Sequence, residues 1–482
     1  MKCKSIQLFL LFWMPLVLIS CKSSQSQNAH KVVKKLNVLF IAVDDLKPVL
    51  GVYGYDWVKT PNMDRLATHG FVFENNHCQQ AVCGPSRASI MTGKRPDFTQ
   101  IYDLKTLMRD INPEILTMPQ YFKQLGYETV AVGKIYDPRC VANDYDAESW
   151  TIPYQKTKSK EYAFSEGKPF YEINERPENE TIDGEIAANS IQYMQQFAKE
   201  GKPFFLGIGF KKPHLPFVAP KKYWDMYPLE TIKLPDFRKD PEGAPTFATQ
   251  PSWELRSGYD DIPKEFTVPI TDEKQLKLIQ GYYASVSFID AQIGKVLDEL
   301  DRLGLRDNTL IVLWGDHGWH LGDHGMFCKH TNYEQATRSP LLISYPGIKS
   351  GTISTPTEFV DVFPTICNLS GIAIPNNLDG VSLVPLMEKK VNRVKDFAVS
   401  QFPRDNDKMG YAFRNDRYRY VIWMKDFTSR QVFDEKLVIA EELYDYQKDS
   451  EERRNLIQDQ EYQNVRNQMK AQAISFFNAH QN

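Results

Sequence analysis

The sequence predicts a large wound α/β domain followed by a smaller α+β domain. Three near-continuous apolar runs, at 36–43, 203–210 and 309–314, have the length and texture of strands buried on both faces. Each run stops at polar residues: Asp44-Asp45, Lys211-Lys212-Pro213-His214 and Gly315-Asp316-His317-Gly318. Open α/β sheets bind ligands just outside the carboxyl ends of their strands, so three separate runs bring candidate chemistry to one sheet edge. After about Asp379 the texture changes, and short segments at 397–400, 410–414 and 418–423 read as antiparallel strands. A length of 482 residues exceeds one ordinary core and agrees with one large and one smaller domain.

At the N-terminus, Met1-Lys2-Cys3-Lys4 is basic, and residues 8–19 form an apolar run too short to span a bilayer comfortably. Leu18-Ile19-Ser20-Cys21 then has the form of a bacterial lipobox. Residues 1–20 are therefore expected to be a lipoprotein signal peptide, and Cys21 the lipidated first residue of an exported protein anchored to a membrane and facing either the periplasm or the outer surface. Residues 21–35, rich in Ser, Gln and Lys, read as a flexible tether. The large domain follows over 36–378, with a long helix expected over 275–303, and the smaller domain occupies 379–482.

Besides Cys3 and Cys21, the chain carries Cys78, Cys83, Cys140, Cys328 and Cys367, an odd number that implies no disulfide framework. The 58 basic and 61 acidic residues leave a net charge of −3, which argues against nucleic acid and against a surface that coats polyanions. An anionic substrate would have to be met by a local cationic pocket.

Cys83-Gly84-Pro85-Ser86-Arg87, continued by Ala88-Ser89-Ile90-Met91-Thr92-Gly93-Lys94-Arg95, puts a thiol, a tight turn, a hydroxyl and a guanidinium within five residues. Arg87 falls one helical turn after Cys83, placed to hold an oxygen beside it. Asp44, Asp45 and Asp316 offer hard carboxylate oxygens from strand ends, with His317 alongside, a donor set that suits Ca²⁺ better than a thiolate-loving ion.

The stretch from Cys83 to Arg95 resembles the signature of the type I sulfatases. Thr60-Pro61-Asn62-Met63-Asp64-Arg65, Ile101-Tyr102-Asp103, Val132-Gly133-Lys134, Lys212-Pro213-His214-Leu215-Pro216-Phe217 and Asp316-His317-Gly318-Trp319 are similar to the iduronate 2-sulfatase subgroup. The resemblance implies an alkaline-phosphatase-like fold with a large mixed sheet flanked by helices, and a smaller C-terminal part containing a short antiparallel sheet. It implies that a formylglycine-generating maturase oxidises Cys83 to formylglycine (3-oxoalanine), whose hydrate attacks sulfur and later expels sulfate. It also implies one Ca²⁺ held by Asp44, Asp45, Asp316 and His317 against residue 83, calcium being preferred to magnesium on this ground. The implied substrate is the 2-O-sulfate of iduronic or unsaturated uronic acid at the non-reducing end of a sulfated glycosaminoglycan.

By the same resemblance, Lys134 and Lys329 clamp sulfate oxygens and His214 donates a proton to the departing sugar oxygen. Trp319, just past the metal pair, is a candidate floor for the sugar, and Asp103 a candidate sugar-facing residue. One departure stands out: the subgroup reads Gly-Lys-x-Phe-His-Pro where this chain has Gly133-Lys134-Ile135-Tyr136-Asp137-Pro138. The base that assists the diol is then either Asp137 or His320, or Asp137 is a turn residue. Arg414, Arg419 and Lys425 are candidates for the uronate carboxylate. Two other classes remain open: a phosphodiesterase or phosphonate hydrolase of the same superfamily, and a non-catalytic glycan-binding lipoprotein.

Overall fold

The computed structural model describes Met1 and residues 35–405, 407–426 and 433–480. Residues 2–34, where a signal peptide, the lipidated Cys21 and a tether are expected, lie outside the described residues; among the described residues no helix is long and apolar enough to cross a membrane. The central sheet has seven strands: β1 (Asn37–Val43), β2 (Gly70–Phe73), β3 (Glu128–Gly133), β4 (Phe204–Phe210), β5 (Thr309–Gly315), β6 (Leu341–Ser344) and β7 (Gly351–Ile353). Their spatial order is β7-β2-β6-β5-β1-β4-β3. The run β5-β1-β4-β3 is parallel, whereas β6 is antiparallel to both β5 and β2, so the sheet is mixed.

Every residue of β1, β4 and β5 is buried, as the apolar runs require. Alternate residues of β1 enter opposite layers. Leu39, Ile41 and Val43 pack with the apolar faces of two long helices, Ile182–Glu200 and Asp272–Arg302. Val38, Phe40 and Ala42 pack on the other face with α1 (Cys83–Thr92), all ten residues of which are buried.

A four-stranded antiparallel sheet follows, β8 (Ala398–Arg404), β9 (Lys408–Arg414), β10 (Tyr418–Lys425) and β11 (Val438–Asp445). The C-terminal helix Gln463–Ala479 covers one of its faces, with Met469, Ala473, Phe476 and Phe477 against Tyr411, Phe413, Tyr420 and Ile422. The described residues from Lys35 onward cluster as one compact unit. Strand β8 holds the segment that leads into α1: Ser400 Oγ donates to the Cys78 carbonyl at 2.6 Å, and the Gln401 amide donates to the Gln79 carbonyl at 2.7 Å.

Candidate active site

Four neighbouring parallel strands open onto one edge. Beyond β1 come Asp44 and Asp45, beyond β5 Asp316 and His317, beyond β3 Lys134, and beyond β4 the segment from Lys211 to His214. Register places Val43 beside Gly315, and the Asp45 amide donates to Asp316 Oδ1 at 2.9 Å. Asp45 takes a φ of +60°, a left-handed conformation that non-glycine residues adopt at a cost. Consecutive carboxylates thereby face one site, where an extended backbone would send them to opposite faces.

Cys83 opens α1 with its Sγ 3.6 Å from Asp44 Oδ1, 3.9 Å from Asp45 Oδ1 and 3.4 Å from His317 Nε2. One turn on, the wholly buried Arg87 donates from Nη2 to Asp44 Oδ1 and from Nε to Asp316 Oδ2, both at 2.9 Å. Its Nη1 reaches the carbonyls of Lys134 and Ile135. Lys134 Nζ lies 2.6 Å from Asp44 Oδ2, and Lys329 Nζ lies 3.1 Å from both Asp45 oxygens and 2.9 Å from Glu254 Oε1.

The close approach of Lys134 depends on Gly209 in β4. A Cβ there would stand 2.1 Å from the Lys134 carbonyl carbon and oxygen. Gly209→Ala is expected to lower the unfolding free energy by about 1–3 kcal/mol in a urea titration. Wild-type stability would mean that the 133–135 backbone moves aside freely.

Burial pushes the Asp44 carboxyl up, but Lys134 and Arg87 outweigh it and hold the group well below the usual carboxylate range. Burial raises Asp45 well above that range, and Lys329 offsets only part of the rise. Burial likewise raises the Cys83 thiol well above its ordinary value, against the pull of Lys134. An unmodified thiol here is protonated and therefore a poor nucleophile. His317 donates from Nδ1 to the Gly318 carbonyl at 2.9 Å, and burial keeps the ring neutral, so Nε2 presents its lone pair to Asp45, Cys83 and Asp316.

A cleft of about 660 Å³ reaches this cluster and is lined by Asp44, Lys134, Asp137, Arg139, His214 and Glu254 among others. His214 donates from Nδ1 to the Leu215 carbonyl at 2.5 Å, leaving Nε2 3.8 Å from Asp45 and 3.6 Å from Glu254. Burial and the Lys329 charge lower its pKa to about 3. Glu254, on the short helix Trp253–Gly258, links Lys329 and His214. Sequence reasoning missed it, because no motif marks that segment.

Several expected site residues are engaged differently or lie elsewhere. Asp137 is buried and held at both oxygens by Arg139, at 2.9 and 2.8 Å, with Lys134 at 3.7 Å. Burial alone would raise its pKa, yet these cations hold it well below the carboxylate range, so it is a poor base. His320 is engaged by Asp323 and Thr331 in a separate buried cluster with His324. Trp319 is 1 % exposed and packs beneath Lys329 and against Tyr282, away from the cleft lining. Asp103 accepts from the amides of Lys105 and Thr106, both at 2.9 Å, as a turn residue. Arg414 and Arg419 are buried on Glu334, and Lys425 faces Asp407, so none of the three carboxylate candidates lines the cleft.

The sulfatase family pattern matches residues 36–372. The chain belongs to the sulfatase family. The C-terminal pattern of N-sulphoglucosamine sulphohydrolase matches residues 322–478. Iduronate 2-sulfatase of Homo sapiens is 34% identical over 497 residues, covering 86% of this chain and 90% of its own length. A sulfatase of Formosa agariphila is 34% identical over 428 residues, covering 84% and 82%. Among solved structures, a complex with the substrate D-glucosamine-2-N,6-O-disulfate superposes with a TM-score of 0.75 at 24% identity, over 93% of this chain and 98% of its own. A 2-O GAG sulfatase gives 0.72 at 22%, over 93% of both chains. The phosphonate monoester hydrolase of Agrobacterium radiobacter gives 0.74 at 22%, over 92% and 96%. These structures establish the alkaline-phosphatase-like fold.

As a sulfatase, the protein is a sulfuric ester hydrolase, and the family generally uses a metal ion and formylglycine. The donor set of this sulfatase fits both. Donor atoms of Asp45, Cys83, Asp316 and His317 all lie within 4.8 Å of one another, and the free His317 lone pair points among them. Cys83, the first residue of α1, sets its Sγ within 3.4–3.9 Å of Asp44, Asp45 and His317, where an oxygen on the same carbon would adjoin the metal donors.

Proposed function

We propose that the protein hydrolyses the 2-O-sulfate of an iduronic or unsaturated uronic acid at the non-reducing end of heparan-type glycosaminoglycan oligosaccharides. The observation that carries this reading is the 34% identity to iduronate 2-sulfatase over nine-tenths of that protein, together with the convergence of four strand ends on Cys83. Asp44, Asp45, Asp316 and His317 would hold one Ca²⁺, whose charge offsets that of the sulfate group. Cys83, carried as formylglycine, would supply a hydrated aldehyde as nucleophile.

The chain's own residues do the rest. Arg87 locks Asp44 and Asp316 in place, so the carboxylates need no rearrangement when substrate arrives. Lys134 and Lys329 flank residue 83 from opposite sides through Asp44 and Asp45, where they spread the charge that builds on the sulfate oxygens. His214 presents Nε2 to the cleft. The anionic ester raises the proton affinity of this otherwise neutral ring, which then holds the proton for the departing sugar oxygen. The exported, lipid-anchored form belongs to the same proposal, since such oligosaccharides are met outside the cytoplasm.

The test is desulfation of a panel of heparin and chondroitin disaccharides by protein coexpressed with a formylglycine-generating enzyme, with Ca²⁺ and after chelation. Loss of only the uronate 2-O-sulfate, abolished by chelator and restored by Ca²⁺, is expected. Release of 6-O- or N-sulfate instead would overturn the position assignment. Faster turnover of a phosphonate monoester would move the protein to the other branch of the fold.

A further inference from the structure

Five cationic side chains line the cleft: Lys134, Arg139, Lys156, Lys211 and Lys212. Three of them spend their ammonium groups on acidic partners, Lys134 on Asp44 and the adjacent Lys211 and Lys212 on Glu161, while Lys156 is exposed and nothing among the described residues fixes its position. Arg139 is different. One edge of its guanidinium is fixed, Nε to Asp137 Oδ1 at 2.9 Å and Nη2 to Asp137 Oδ2 at 2.8 Å, while Nη1 has no hydrogen-bond partner among the described residues. Its side chain is 53% exposed, whereas that of Asp137 is fully buried. Asp137 in turn lies 3.7 Å from Lys134, which touches Asp44 beside Cys83. A half-exposed, cleft-lining guanidinium is thus anchored by a buried carboxylate and joined through Asp137 and Lys134 to the Asp44 carboxylate beside Cys83.

We infer that Arg139, held in place by Asp137, binds a second oxyanion on the substrate, next to the ester being cleaved, and so selects for polyanionic sugars. The inference rests on the sugar-sulfate reading above and extends it. A guanidinium matches the geometry of both carboxylate and sulfate, and a pre-fixed one loses little freedom on binding. Asp137 is then a positioning residue, which accounts for a carboxylate at this place that is too acidic to act as a base. Substrate oxyanions of two origins share this chemistry: the carboxylate of the reacting uronate and a sulfate on the neighbouring sugar.

The experiment measures kcat/KM for wild type, Arg139→Gln, Arg139→Lys and Asp137→Asn on paired disaccharides that carry the same scissile ester. One pair differs by reduction of the uronate carboxyl, and another by the absence of the neighbouring sulfate. Wild type is expected to prefer the more anionic member of one pair by about tenfold or more. Arg139→Gln should collapse that preference towards unity, mostly through KM, with partial rescue in Arg139→Lys and a weakened preference in Asp137→Asn. The pair that responds identifies the anion. Equal loss on both members of every pair, or a preference retained in Arg139→Gln, would overturn the inference, and melting curves separate misfolding from either result. If wild type cleaves a different ester, the pairs are built on that ester; the 2-O reading then fails while the role of Arg139 is still decided.

Discussion

Cys83→Ala is expected to leave a folded protein whose desulfation rate falls by about 10⁴-fold or more. The side chain is fully buried at the first turn of α1, and its removal deletes one sulfur atom from a site otherwise held by Arg87, Lys134 and Lys329. Stability should therefore change by only about 1 kcal/mol, the scale of a small core deletion. The loss is kinetic, because the neighbouring hydroxyl and thiol are engaged elsewhere: Ser86 donates its hydroxyl to the Asp316 carbonyl, and Cys140 turns to the Asp103 carbonyl at 3.4 Å. The measurement pairs a thermal melt with turnover of the preferred disaccharide. Activity within tenfold of wild type in a folded variant would remove Cys83 from the chemistry.

Arg87→Met reverses the pattern, with its largest effect on the fold. Its guanidinium is the shared partner of the buried Asp44 and Asp316 and of two backbone carbonyls. Deleting one partner of a buried ion network leaves charges uncompensated, at a cost of about 3–5 kcal/mol. A pH titration of stability carries a second signature. In wild type the depressed Asp44 carboxyl binds fewer protons in the folded chain than in the unfolded one. Its contribution is therefore fully present above about pH 4 and fades as the pH falls below that value. Without Arg87, one of the cations that outweigh burial at Asp44 is gone, so its folded pKa moves up towards the unfolded value and the stability lost on acidification below about pH 4 should shrink. Urea titrations at pH 3 and pH 7 in chelator read both effects. A loss below 1 kcal/mol with an unchanged pH slope would mean that Lys134 alone neutralises the pair.

The site was legible where chemistry sits at the end of an apolar strand. β1 and β5 announce themselves by unbroken hydrophobic runs, and Asp44, Asp45, Asp316 and His317 follow directly. The helix expected over 275–303 spans Asp272–Arg302, since its apolar spacing persists through eight turns. Strand β11 was not legible: Glu441 and Glu442 interrupt its alternation, and only tertiary partners explain them, such as Trp423 Nε1 donating to Glu442 at 2.7 Å. Arginines misled for a related reason. Arg414 and Arg419 in a strand-rich segment look the same in sequence whether they await a ligand or neutralise a buried acid, and here Glu334 and Glu452 take them. Arg139 and Glu254 carry no motif, and only the cleft brings them into view.

The hold of β8 on the segment before α1 also sets an order of events in time. Cys78 and Ser400, joined by a hydrogen bond, are 322 residues apart in the chain, so a ribosome releases the cysteine region long before the strand that fastens it. Once fastened, Cys83 has no exposed surface. Any enzyme that rewrites this side chain works against a clock that starts when residue 83 is made and stops when the last sheet closes. On the formylglycine reading proposed above, slowing that closure would lengthen the interval for modification, and hastening it would leave the protein folded with an unmodified thiol.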